Sequence, residues 1–142
     1  MIALLQEEGI EHALCGGLAM AVYGLPRATI DIDLVVIPQD LERFRAAVAR
    51  LGFDLPSHPM TFRGGEVEIR RVSKLHPSGE VLMLDALLVT PVIEDAWRTR
   101  QAMAWDFGTI SVVSKEGLIA LKTLRSSGQD LDDINRLRGE TE

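Results

Sequence analysis

The pattern of hydrophobic and polar positions changes along this chain between one typical of strands and one typical of helices, and it predicts where each secondary-structure element lies. Runs of β-branched and aliphatic residues predict strands, whereas apolar residues three and four positions apart predict helices. The predicted strands cover residues 10–15, 29–37, 66–74, 80–89, 103–107 and 109–113. The predicted helices cover residues 1–8, 18–23, 41–51, 91–97 and 115–124, and a last one begins near residue 130.

Turn and cap residues mark the ends of several of these elements. Asp40 and Ser114 are predicted to cap the N-termini of two helices, and Gly52 is predicted to end the first of them. The turn 76–79 joins two strands into a hairpin, and the stretch 53–65, with two prolines and a glycine pair, is predicted to be a loop with one short strand. Because strands and helices are interspersed, we predict an α/β (α+β) fold in which helices flank a mixed sheet.

Composition sets limits on what this fold can do. The 142 residues, expected to form one domain over 1–142, include 15 basic and 21 acidic side chains, a net charge of −6 shared evenly by the two halves. A chain without a basic face or tail is not expected to bind nucleic acid along its length. A single cysteine, no apolar run of about 18 residues and an acidic N-terminus predict a cytoplasmic protein without a membrane segment.

Two aspartates on one predicted strand are the first candidates for chemistry. Asp31 and Asp33 are two residues apart, so their side chains point to the same face of the strand. Two carboxylates so placed repel each other unless a cation lies between them, and oxygen ligands favour Mg²⁺ or Mn²⁺. Solvated surface carboxylates are the alternative interpretation, since short motifs match by chance.

The glycine pair Gly16-Gly17, between a predicted buried strand and a helix, is the second candidate. Glycines let backbone amides approach an anion closely, although a simple turn is the alternative. An anion cradle together with metal-binding carboxylates predicts one ligand, a metal-bound nucleoside triphosphate.

The order of these residues resembles a known family. Gly-Gly followed by Asp-x-Asp between hydrophobic residues is similar to the signature of the nucleotidyltransferase superfamily, which includes DNA polymerase beta. The longer stretch 15–35 resembles the AbiEii-type abortive-infection toxins and their small stand-alone relatives, in which an Arg-x-Thr-x-Asp-x-Asp run is typical. That run is matched by Arg27, Thr29, Asp31 and Asp33. The resemblance implies a nucleotidyltransferase fold and covers about residues 12–137.

The resemblance also implies a third carboxylate on a neighbouring strand. Asp85 is the candidate, because it is a lone acid in the apolar run 81–89. It would bind metal with Asp31 and Asp33 and serve as general base toward the acceptor hydroxyl. An acid at a strand edge or in a salt bridge is the alternative interpretation.

Further positions are assigned to the nucleotide by the same resemblance. Lys122 would reach a phosphate, and Asp130 matches the aspartate motif that follows the lysine motif. A lysine on a solvated helix face and an aspartate that caps a helix are the alternatives. Arg27 could pair with Asp31 or with a phosphate, and Thr29 belongs to the same run.

A small basic group lies outside this pattern. Arg70, Arg71 and Lys74 are interpreted first as protection of a strand edge and second as contacts to an acceptor RNA.

The sequence thus predicts a metal-dependent enzyme that transfers a nucleoside monophosphate to a hydroxyl of RNA, protein or a small molecule. A role in a toxin–antitoxin pair or in phage defence follows from the resemblance. The acceptor is unknown, and its recognition is expected either to depend on a partner chain or to have been lost. A partner protein or a homodimer is the expected assembly. A catalytically degenerate binding module is the alternative function.

Overall fold

A computed structural model of the chain describes residues 1–25, 31–105, 108–125 and 128–139, with the backbone alone at 105, 125 and 128–130. The strands are β1 (Ala13–Cys15), β2 (Ile32–Val36), β3 (Leu55–Pro56), β4 (Met60–Phe62), β5 (Val67–Leu75), β6 (Val81–Leu88), β7 (Gln101–Trp105) and β8 (Gly108–Val112). The helices are α1 (Ile2–Glu7), α2 (Gly16–Val22), α3 (Leu41–Ala49), α4 (Glu94–Arg98), α5 (Lys115–Arg125) and α6 (Gly128–Arg138).

These strands form one mixed sheet in the order β3-β5-β6-β2-β1-β8-β7, with β4 also paired to β5. β2 lies in the middle, antiparallel to β1 and parallel to β6, and β1 runs parallel to β8. The predicted mixed α+β architecture is confirmed. The predicted hairpin is present as β5 and β6, which pair antiparallel from Ile69↔Leu87 to Leu75↔Val81.

The core lies on β2 and on the helices that cover the sheet. Leu34, Val35 and Val36 are fully buried although successive residues face opposite sides, so both faces of β2 are covered at its C-terminal end. The helices contribute their own buried side chains, among them Leu5, Met20, Phe44 and Leu118. Of the described helices, none has the length and apolar character to cross a membrane.

Several element boundaries differ from those predicted. β1 begins at Ala13 rather than at residue 10, because the backbone N–H of Ile10 donates to the carbonyl of Leu5 and closes the end of α1. The stretch 53–65 holds two short strands rather than one. The helix predicted from residue 91 begins at Glu94, since a turn from Thr90 to Ile93 precedes it.

The two predicted caps have different outcomes. Asp40 precedes α3, but its side chain makes no capping hydrogen bond and instead accepts one from Arg43, so its predicted capping role is wrong. Ser114 does cap α5, because its hydroxyl accepts a hydrogen bond of 3.0 Å from the backbone N–H of Gly117.

The Ser114 cap gives a first testable prediction. Ser114 is buried, so Ser114→Ala leaves a helix N–H without its acceptor and without access to water. We expect the free energy of unfolding to fall by about 1 kcal/mol, measured by urea denaturation followed by circular dichroism. A change below about 0.5 kcal/mol, the usual range for surface substitutions, would show that the cap does not stabilise the fold.

Candidate active site

The sheet register places the functional candidates in one row. Cys15 at the end of β1 is paired with Asp33 on β2, and Asp33 is paired with Asp85 on β6. Asp85 is in turn paired with Arg71 on β5. Because neighbouring strands lie about 5 Å apart and paired residues share a face, the two carboxylates and the guanidinium lie side by side on the sheet.

Gly16 follows this row and packs directly against Asp33. Its φ is +67°, and a Cβ atom added there would lie 2.2 Å from Asp33 Oδ2. A side chain at this position would therefore both strain the backbone and displace the carboxylate. Gly17 is buried in the first turn of α2, so the glycine pair opens that helix rather than forming a separate turn before it.

Asp85 is held by Arg71 through two hydrogen bonds. Arg71 Nε donates to Oδ1 at 2.7 Å and Nη2 donates to Oδ2 at 3.0 Å, and both side chains are partly buried, at 32% and 14% exposed. The hydrogen bond to Asp85 raises the pKa of Arg71, and the charges of Asp85, Asp31 and Asp33 act in the same direction against the opposing effect of burial. The interpretation of Asp85 as a salt-bridged acid therefore describes its present state.

The interpretation of Arg71 as protection of a strand edge is wrong. β5 pairs with β6 on one side and with β3 and β4 on the other, so it has no free edge over its paired length. In the sequence, Arg71 is noted only as part of the basic group with Arg70 and Lys74. In the structure it belongs to the candidate site, because it is hydrogen-bonded to Asp85. The position of the hairpin turn predicts the pairing of Arg71 with Asp85. A turn over residues 76–80 places Arg71 on β5 directly across from Asp85 on β6.

Lys122 lies in α5 and is buried, contrary to the interpretation of a solvated lysine. Its Nζ donates to Asp133 Oδ2 on α6 at 3.0 Å, and the two side chains are 5% and 0% exposed. Asp130 lies in the first turn of α6 rather than before it, so it does not precede the helix as a capping residue would.

Asp33, Asp85 and Lys122 line a shared cleft with an empty volume of about 600 Å³, counted out to its open mouth. Its polar lining consists of Gly16, Asp33, Asp85 and Lys122, together with Cys15. The remaining wall is apolar: Val67, Ile69, Leu87, Ile93, Leu118, Leu121 and Leu124. The cleft therefore offers carboxylates and an ammonium group at one place in a mainly apolar pocket, an arrangement typical of a small-ligand site.

The three remaining predicted site residues precede β2 in the sequence. Asp31 is half-buried, directly before β2, and close enough to Arg71 to affect its pKa. Arg27 and Thr29 lie outside the described residues.

The carboxylates suit a hard divalent cation in chemical kind but not in their present arrangement. Oxygen donors such as those of Asp31, Asp33 and Asp85 are the ligands that Mg²⁺ and Mn²⁺ prefer. Within the described ranges, however, no three His, Cys, Asp or Glu side chains are grouped as a ready metal site. One of the three carboxylates, that of Asp85, is already engaged in the salt bridge with Arg71.

Comparison with known proteins gives a family and a fold. The family model described as "Nucleotidyl transferase AbiEii toxin, Type IV TA system" matches residues 3–129. No curated protein matches the sequence.

Solved structures resemble the chain over nearly its whole length. A Thermotoga maritima protein assigned as a nucleotidyltransferase has a TM-score of 0.65 at 14% identity, covering 99% of this chain and 89% of its own. Antibiotic-resistance factor ANT(2")-Ia, in complex with adenylyl-2"-tobramycin, has a TM-score of 0.62 at 15% identity, covering 97% and 83%. An antigenic nucleotidyltransferase-like protein of Paracoccidioides brasiliensis has a TM-score of 0.55 at 18% identity, covering 99% and 72%. These likenesses confirm the predicted nucleotidyltransferase fold.

Proposed function

Because the chain belongs to the AbiEii family of nucleotidyltransferase toxins, we propose that it transfers a nucleoside monophosphate from a nucleoside triphosphate to a hydroxyl group. The observation that carries the proposal is the cleft in which Gly16, Asp33, Asp85 and Lys122 meet. RNA, protein and small molecules are the candidate acceptors, and a toxin–antitoxin or phage-defence role follows from the family. A neighbour of the same fold that holds adenylyl-2"-tobramycin supports a small molecule as one of them.

In this proposal, Asp31, Asp33 and Asp85 would hold Mg²⁺ or Mn²⁺, which would neutralise phosphate charge and stabilise the leaving pyrophosphate. Asp85 accepts the proton of the acceptor hydroxyl, whose oxygen forms a bond to the α-phosphorus as the bond to pyrophosphate breaks. Gly16 and Gly17 bring backbone amides to the phosphates.

Lys122 lines the same cleft and, in this proposal, would add a positive charge near the phosphates. Its burial and its ion pair with Asp133 fix the ammonium group before a ligand arrives, so little side-chain entropy is lost on binding. The proposal also assigns Asp130, Arg27 and Thr29 to the nucleotide site. These three assignments rest on the sequence motifs alone.

The proposal is tested by incubating the protein with each α-labelled nucleoside triphosphate, Mg²⁺ and either total RNA or a cell lysate. We expect one triphosphate to label a defined acceptor, and Asp33→Asn to lower labelling by about 10²-fold or more, as expected for loss of a group that stabilises transition-state charge. Asp132→Asn is the matched control, because it makes the same change at an exposed aspartate of α6 that is not among the residues lining the cleft. This variant should label the acceptor at the normal rate. Absence of both labelling and nucleotide binding by calorimetry would refute the proposal.

A degenerate binding module is a second candidate, and the salt bridge between Arg71 and Asp85 favours it, because the third carboxylate is engaged. The same experiment distinguishes the two functions. A module would bind a nucleotide or a partner protein without labelling any acceptor, and Asp33→Asn would then leave its biological effect unchanged.

A further inference from the structure

The salt bridge between Arg71 and Asp85 carries an inference beyond the family. We propose that Arg71 is a positioning residue that withholds Asp85 from divalent metal in the nucleotide-free protein and releases it when nucleotide phosphates bind the guanidinium. The second half of this proposal rests on the proposed function, because it requires a phosphate ligand in the cleft. The first half concerns the free chain alone.

The geometry of the pair explains how Asp85 is withheld. Both carboxylate oxygens accept a hydrogen bond from one guanidinium, at 2.7 and 3.0 Å, the two-point contact that arginine makes best with a carboxylate. A divalent cation bound to Asp85 would lie next to this fixed positive charge and would be repelled by it. The guanidinium and the metal therefore compete for the same carboxylate.

The surroundings of Arg71 strengthen the competition. The hydrogen bond to Asp85 is the largest effect that raises the pKa of Arg71, and the nearby charges of Asp31 and Asp33 act in the same direction, so the guanidinium is attracted to the carboxylate row. The backbone of Arg71 is paired with Asp85 on one side, and on the other its carbonyl accepts a hydrogen bond from the N–H of Ser57, so the side chain is the part that can change partner.

A triphosphate is the ligand suited to remove this side chain from Asp85. It carries several negative charges, and its oxygens match the planar guanidinium as well as a carboxylate does. Arg71 is about one-third exposed and is bonded to Asp85, which lines the cleft, so a ligand in the cleft would lie beside its guanidinium without unfolding of β5. Phosphate binding and metal binding would thus be coupled through one arginine, since each favours the state in which Asp85 is released.

The first test measures Mn²⁺ binding to the nucleotide-free protein by electron paramagnetic resonance of free Mn²⁺. Arg71→Gln should tighten binding by about tenfold, because one more carboxylate becomes a ligand. The double variant Arg71→Gln/Asp85→Asn should return to the normal affinity. Arg70→Gln is the matched control, because it removes the same charge from the preceding residue of β5, whose side chain lies on the opposite face of the sheet. It should leave the Mn²⁺ affinity unchanged.

Two results would overturn the withholding of Asp85. One is an Arg71→Gln protein that is folded by circular dichroism and binds Mn²⁺ no more tightly than the parent. The other is tighter binding that persists in the double variant. If Arg71→Gln does not fold, Arg71→Lys keeps the charge but loses the two-point contact, and it should tighten Mn²⁺ binding by about threefold. No change in Arg71→Lys would count equally against the proposal.

The second test measures nucleoside triphosphate binding in EDTA, where metal cannot contribute. Arg71→Gln should weaken binding by about tenfold through the lost guanidinium–phosphate contact, and Arg70→Gln should not. Equal affinity of Arg71→Gln and the parent would overturn the release step while leaving the Mn²⁺ result intact. Neither test uses nucleotidyl transfer, so failure of the proposed function and failure of this inference are separate outcomes.

Discussion

Asp133→Asn lowers the free energy of unfolding by about 3–5 kcal/mol, the usual effect of removing one partner from a buried ion pair. Asp133 is fully buried, and Lys122, 3.0 Å away, is 5% exposed, so the substitution leaves a buried ammonium group without its counter-charge. The pair joins α5 to α6, which pack against each other, so we expect α6 to separate first. Urea denaturation followed by circular dichroism measures the change.

Two variants show whether this effect comes from the ion pair. Asp132→Asn removes the same charge from an exposed position of α6 and should change stability by less than about 0.5 kcal/mol. Lys122→Met/Asp133→Leu replaces both charges by apolar groups and should recover most of the stability lost in Asp133→Asn. An Asp133→Asn protein within about 1 kcal/mol of the parent would show that water reaches the pair, because an exposed ion pair contributes no more than that.

The apolar double variant also separates folding from function. If Lys122 contacts the phosphates, Lys122→Met/Asp133→Leu should be folded and stable and yet bind nucleoside triphosphate more weakly. Calorimetry in EDTA makes this comparison without interference from metal.

The sequence predicts those parts of the fold that depend on local pattern. Alternation and the turn near residue 78 predict the hairpin of β5 and β6, and Ser114 followed by an apolar helical repeat predicts α5. The glycine pair and Asp33 are predicted as one site by the family motif, and the structure places Gly16 against Asp33.

The remaining parts of the site depend on contacts between distant segments. Hydrophobic pattern does not specify which strands pair, and the parallel pairing of β2 with β6 brings Asp33 beside Asp85 across about fifty residues of chain. Burial of Lys122 likewise depends on where α6 packs, since lysine on an amphipathic helix is usually solvated. The hairpin register alone predicts that Arg71 lies across from Asp85. It does not predict that Arg71 belongs to the site, because that depends on the pairing of β6 with β2, which places Asp85 beside Asp33.

Gly16→Ala should abolish detectable nucleotidyl transfer, with a loss of about 10²-fold or more, because misplacing a catalytic group by about 1 Å is enough for an effect of that size. The new Cβ would lie 2.2 Å from Asp33 Oδ2 and 2.9 Å from its Cβ, so the whole side chain must move and not only its flexible end. The φ of +67° adds about 1–2 kcal/mol of backbone strain to the destabilisation. Labelling with the triphosphate and urea denaturation measure the two effects.

Gly64→Ala separates the displaced carboxylate from the strained backbone. Gly64 has nearly the same φ, +65°, and no atom of the described residues lies within 4 Å of an added Cβ. It should therefore show the same loss of about 1–2 kcal/mol and a normal rate of transfer. If both variants lose activity alike, reduced stability is the cause. If Gly16→Ala alone does, the close approach of Gly16 to Asp33 is a requirement of the chemistry, and the first glycine of the pair has a role that backbone freedom by itself does not explain.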